Sequence, residues 1–139
     1  MLPEKSDFSK FQVGYKDSFT REVTAETIDS FVDVSGDVNP IHVNEDYAKT
    51  TRFGQRIAHG IIGASFISSL VGMKMPGIGA IYCSQSLKFK GPVFIGDTLT
   101  VEGEVIARDD ERNRITIRTD VINQDGKIVT TGEAVMMHE

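Results

Sequence analysis

The sequence holds a single cysteine, Cys83, so no disulfide can form within the chain, and a lone thiol suits a reducing compartment. Cytoplasmic residence is the expectation. The stretch Met1 to Asp7 lacks a basic segment followed by an apolar core, which argues against a secretory signal. Positive charge is the minority sign, 15 Lys and Arg against 20 Asp and Glu, giving a net charge of -5 and a pI near 5.2. That balance argues against a surface that tracks phosphates, so no nucleic-acid partner is expected. Internal repeats, linkers and low-complexity segments are also missing. Histidine is scarce, with three in the chain, and neither paired cysteines nor an H-x-x-x-H spacing points to a metal site.

What is present fits one folded domain. A chain of 139 residues can bury on the order of 70% of the surface it exposes when unfolded, and its 40% hydrophobic and 25% charged residues are ordinary for a globular protein. A short strand is expected near Lys16 to Arg21. Thr24 reads as the cap of an amphipathic helix from Ala25 to Val34, with Ile28, Phe31 and Val32 at helical spacing and Gly36 ending it. Asn44, followed by Glu45 and Asp46, reads as the start of a second short helix reaching about Thr50.

From Ile57 to Met73 the chain carries no Asp, Glu, Lys or Arg, and no polar stripe recurs at helical period, so a core helix buried on every side is expected. Its length matches the lower limit of a membrane span, about 17 residues, but Gly60, Gly63, Ser65, Ser68, Ser69 and Gly72 make it too weakly apolar for one. No membrane association is expected. Such small residues allow neighbouring backbones to come close, as a sheet wrapped around one helix requires.

The remainder alternates with period two. Ile81, Cys83, Leu87 and Phe89 share one parity, so Cys83 reads as a small buried hydrophobe rather than a nucleophile, and Gln85, on the same parity, as a buried amide in need of partners or one rotated outward by a bulge. Further strands follow Gly96-Asp97, with Arg108 to Arg114 and Asp125-Gly126 as hairpin connections. In the last strand, Ile128 to Met137, both parities are apolar, as when one face meets a partner subunit. One helix followed by antiparallel strands makes an α+β chain.

The chemistry concentrates in Ser35-Gly-Asp-Val-Asn-Pro-Ile-His42. Its Gly, Asn and Pro content predicts a loop that leaves the regular elements and aims Asp37 and His42 at one point. An acid and an imidazole at this spacing are often only a turn cap and a loop histidine. The weight comes from His59 and Gly60, which open the core helix nearby, where unpaired amides and the positive end of the helix dipole can hold an oxygen that gains charge. Gly60 N–H is the candidate donor. Metal binding by Asp37, His42 and His59 is the competing use, and it would need ligands from separate elements. Ser65, inside the helix, reads as structural or at most as a substrate contact. Lys88, Lys90, Arg52 and Arg56 are candidates for a phosphorylated carrier, although lone basic residues are commonly just solvated.

Three linked stretches, Ser35 to His42, Thr51-Arg-Phe-Gly-Gln-Arg-Ile-Ala-His-Gly60 and Gly79 to Val93 with Gly96-Asp97, together resemble the MaoC-like (R)-specific enoyl-CoA hydratases. The resemblance implies a single hot-dog domain over residues 1–139. Its antiparallel sheet would wrap a long central helix, with a short helical overhang carrying the catalytic loop and two sheets joined in a homodimer. The implied reaction is reversible syn addition of water to a trans-2-enoyl-CoA, giving the (R)-3-hydroxyacyl-CoA. Asp37 and His42 would be the catalytic pair and Asn39 the loop support. Gly60, Ser65 and His59 would lie near the thioester, with Gly60 N–H as oxyanion donor. No metal and no cofactor beyond the acyl-CoA substrate is implied. The neighbouring readings are a 3-hydroxyacyl-thioester dehydratase acting on acyl-carrier-protein, a hot-dog thioesterase, and a noncatalytic acyl-CoA-binding subunit.

Overall fold

A computed structural model describes residues 1–139. After a 3-10 turn at Phe8–Lys10, the order is β1 (Lys16–Glu22), α1 (Ala25–Ser35), α2 (Pro40–Val43), α3 (Glu45–Ala48), α4 (Gly60–Met73), β2 (Ala80–Gln85), β3 (Lys88–Phe89), β4 (Thr98–Asp109), β5 (Arg114–Ile122) and β6 (Ile128–His138). The strands form one antiparallel sheet ordered β1-β4-β5-β6-β2, with β3 also on β6. It wraps α4, the hot-dog arrangement.

Alternation sets the inner face. Leu99, Val101 and Val105 of β4 and Ile115, Ile117 and Val121 of β5 are all but inaccessible, whereas Glu102, Glu104 and Arg118 point outward, with Glu104 and Arg118 paired at 3.0 Å. Ile62, Phe66, Ile67, Leu70 and Val71 of α4 fill the concave side. Burying a side chain of this size contributes about 1.5–3 kcal/mol, so this seam carries most of the hydrophobic stabilisation.

The sequence expectation of a helix from Ile57, buried all round, needs two corrections. α4 begins at Gly60, because Ile57 forms a β-bridge with Phe94 and Ala58 N–H donates to the Val93 carbonyl at 2.7 Å. Ile61, Ser65, Ser68, Ser69 and Met73 are also exposed in the single chain, since the sheet covers only one side of the helix.

The strand expected through Phe89 is broken as well. The register shifts between Tyr82 and Ser84, and Cys83 is exposed rather than buried, as are Ile81, Tyr82 and Ser84 on this edge strand of the single chain. Gln85 remains inward and partnered: it donates to Thr119 Oγ1 at 3.0 Å and to the Ser86 carbonyl at 2.9 Å, and accepts from the Tyr82 hydroxyl. Nearby, Gly132 leaves no room for a side chain, because a Cβ there would sit 1.8 Å from the Ser86 carbonyl oxygen.

The overhang is α1 to α3. Thr24 and Thr27 form a reciprocal cap at the start of α1, and Gly36, at φ 73°, ends it in the left-handed conformation that glycine adopts without strain. The chain then turns toward the start of α4.

Candidate active site

The motif is less irregular than its composition suggests. Pro40 stands at the first position of the one-turn helix α2, where its fixed φ is favourable, and Asn39 caps that turn by accepting from Ile41 N–H at 3.2 Å. His42 therefore sits on a helical turn, not in an open loop. Asn39 thus ties the motif together through its own side chain and backbone N–H. Asp37 Oδ1 accepts from Asn39 N–H at 3.1 Å, leaving the other carboxylate oxygen free on a half-exposed side chain.

The segment before α4 is sewn onto this turn. Ile57 N–H donates to the Ile41 carbonyl at 3.2 Å, and Arg56 Nε donates to the His42 carbonyl at 2.7 Å. Arg56 thus spends its Nε on holding the motif. His42 Nδ1 lies 2.7 Å from the Ile57 carbonyl oxygen. A carbonyl only accepts, so Nδ1 carries the proton and, in the neutral ring, Nε2 presents a bare lone pair. Burial, with a smaller push from His59, holds the His42 pKa below its ordinary value of 6.5 against the opposing effects of the Ile57 carbonyl and Asp37.

His59 is 4% exposed, caged between Phe31 and His42. Its Nε2–H donates to the Asp37 backbone carbonyl at 3.0 Å, with Asp37 Oδ2 at 3.9 Å, while Nδ1 is buried without a partner. His59 thus packs behind the pair and is not among the residues that line the cleft beside His42. One ligand atom each from Asp37, His42 and His59 fall within 4.8 Å of one another. A cation held by His59 Nε2 would have to displace its N–H bond to the Asp37 carbonyl.

His42, Gly60 and Ile61 line a cleft of about 430 Å³, closed by Phe53 and Phe89 and rimmed by Arg52 and Lys90. No side chain caps α4; Ile62 N–H donates to the His59 carbonyl at 3.0 Å, whereas Gly60 N–H has no partner in the chain and is open to a ligand. Gly60 keeps that end open: a Cβ on it would lie 2.8 Å from Phe89 Cδ1.

Ser65 does not join this group. Its hydroxyl donates to the Ile62 carbonyl at 2.6 Å and lines a separate groove with Phe31, Val34 and Arg21. Five residues of α-helix turn it well away from Gly60. The groups present, a carboxylate, an imidazole with a free lone pair and an uncapped helix start beside a cleft, can move a proton and hold a developing oxyanion.

A hot-dog fold whose overhang sets an acid and a base beside the start of the central helix defines a class of small hydro-lyases. Residues 9–127 match the MaoC like domain, and the chain belongs to that family. It is 46% identical to the (R)-specific enoyl-CoA hydratase of Rhodospirillum rubrum over 130 residues, 94% of this chain and 90% of that one. To the (R)-specific enoyl-CoA hydratase of Aeromonas caviae it is 41% identical, over 90% of this chain and 93% of that one. The solved structure of unliganded R-hydratase PhaJ1 from Pseudomonas aeruginosa superposes with a TM-score of 0.92 at 40% identity, covering 96% of this chain and 86% of that one.

Proposed function

We propose that the protein is an (R)-specific enoyl-CoA hydratase that adds water reversibly and syn across a trans-2-enoyl-CoA. The observation that carries this reading is the pairing of the Asp37 carboxylate with a His42 ring whose Nδ1–H is committed to Ile57, which leaves Nε2 as an acceptor. Two hydrogen bonds of about 2.8 Å let one water bridge groups at such a separation. That water attacks the β carbon as the pair takes its proton, and the pair returns a proton to the α carbon on the same face. The charge passing to the thioester oxygen is held by Gly60 N–H, and Asn39, Arg56 and His59 fix the pair. All of this is proton transfer and electrostatics, so no cofactor beyond the CoA thioester is required.

Arg52 and Lys90 at the rim, in a chain of net charge -5, suit the phosphates of CoA. The exposed edge strand β2, with Ile81 39% and Tyr82 40% accessible, and the uncovered Ile61 and Met73 of α4 support a homodimer whose sheets join. No helix is long and apolar enough to cross a membrane. The lone thiol of Cys83 supports a cytoplasmic setting.

The test is purified protein with crotonyl-CoA and longer enoyl-CoAs, followed by chiral analysis. Loss of enoyl absorbance with the (R)-3-hydroxyacyl-CoA as product is expected. Free thiol as the product would mean a thioesterase, and turnover of carrier-protein thioesters alone would mean the dehydratase of fatty-acid synthesis.

A further inference from the structure

Thr130 lies on the floor of the His42 cleft and is 3% exposed. Its strand position pairs it with Val121 on one side and Phe89 on the other, and its side chain faces α4. There Oγ1 stands 3.9 Å from the point that a Cβ on Gly63 would occupy. The neighbouring threonines are satisfied, Thr119 by Gln85 and Thr131 by Asp120. The Thr130 hydroxyl makes no hydrogen bond within the chain, and the residue lines the cleft. Although the residue is buried, its Oγ1 is not sealed off: it opens onto the cleft, where water holds the hydroxyl until a ligand replaces it. A hydroxyl presented to the cleft with no partner in the chain is placed to meet a polar group of whatever fills that cleft.

We propose that Thr130 Oγ1 is a substrate contact that accepts a hydrogen bond from the pantetheine amide nearest the thioester sulfur. The proposal rests on the thioester reading above. Gly63 is one helical turn from Gly60, roughly 5–6 Å along the same side of α4, so Thr130 stands one turn from the amide assigned to the thioester oxygen. In a CoA thioester the carbonyl carbon is separated from the first amide nitrogen by a sulfur and two methylenes, a comparable reach. The acyl chain carries no polar group for Thr130 to meet. The hydroxyl formed at the β carbon belongs with Asp37 and His42, and the outer amide and phosphates lie farther out, toward Arg52 and Lys90.

The experiment compares two small crotonyl thioesters, one of N-acetylcysteamine and one of its analogue in which a methylene replaces the amide N–H. The native chain is expected to favour the first by roughly tenfold in kcat/KM, the effect of one hydrogen bond. Thr130→Val should bring that ratio close to one, mainly through KM, and Thr130→Ser should restore it, with melting curves confirming that both variants fold. A ratio near one in the native chain, or an undiminished ratio in Thr130→Val, overturns the assignment. A structural role would lower both substrates equally and leave the ratio intact, which also overturns it. Failure of the native chain to hydrate crotonyl-CoA itself would instead overturn the hydratase reading.

Discussion

The imidazole rings of His42 and His59 stack with centroids 3.8 Å apart and planes 28° from parallel. Two cations at that distance repel strongly, so His59 adds to the burial that keeps His42 neutral, while its Nε2–H clamps the Asp37 carbonyl. Replacing His59 with Phe keeps a ring in the stack and removes both effects. The acidic limb of the kcat profile, expected below pH 6.5 in the native protein, should then move up toward that value, and kcat should fall about a hundredfold with little change in KM. A pH–rate series checks both, and an unmoved limb with native kcat would remove His59 from the positioning apparatus.

Asp37→Asn and His42→Gln each delete one proton acceptor and preserve shape. Crotonyl-CoA hydration should drop roughly 10²–10⁴-fold in each variant, while melting temperatures stay within a few degrees because both side chains are partly exposed. Near-native turnover in either would sink the assignment of the pair.

Stability should report the same His42 environment. Its folded pKa lies below the unfolded value of 6.5, so the unfolded chain binds the proton more readily. The contribution of neutral His42 is fully present above 6.5 and is lost as pH falls from there through the folded pKa. His42→Gln should therefore lose less stability between pH 7.5 and 5.5 than the native chain does, measured by denaturant unfolding at the two values.

Much of this site was legible in the sequence because its signals are local. Thr24 and Gly36 bracket α1, and the DxNPxH spacing with His59-Gly60 named the groups that meet. What stayed hidden depends on long-range pairing. Arg56 looked like any basic loop residue until its Nε met the His42 carbonyl, and Thr130 was one threonine in an alternating strand. Ser65 lies on the core helix, and that alone does not say which side of the helix meets the cleft; its hydroxyl is spent on the Ile62 carbonyl. Period two placed Ile81 and Cys83 on a buried face but could not say that their strand lies at the sheet edge with both faces open, and the open side of α4 could not be read from a segment with no polar stripe.

Gly132 tests the strand crossing that alternation could not reveal. A methyl at this position would overlap a backbone carbonyl, with no flexible side chain to yield. Gly132→Ala should cost about 3 kcal/mol or more, or displace the chain between β2 and β3. A thermal melt within a degree or two of the native protein would show that Ser86 is not held against β6.

Gly60→Ala is more discriminating, because the atom it would strike is the end of a ring that can swing away. The fold should survive, with two distinct consequences in the cleft. Displaced Phe89 narrows the space for the substrate and should raise KM, while a methyl beside Gly60 N–H obstructs the oxygen that gains charge and should lower kcat, about tenfold to a hundredfold. The double variant Gly60→Ala with Phe89→Ala separates them. Relieving the ring should return KM toward its native value and leave kcat depressed. Recovery of both constants would mean that the glycine serves only to seat Phe89, and the oxyanion role of the α4 start would have to be assigned elsewhere.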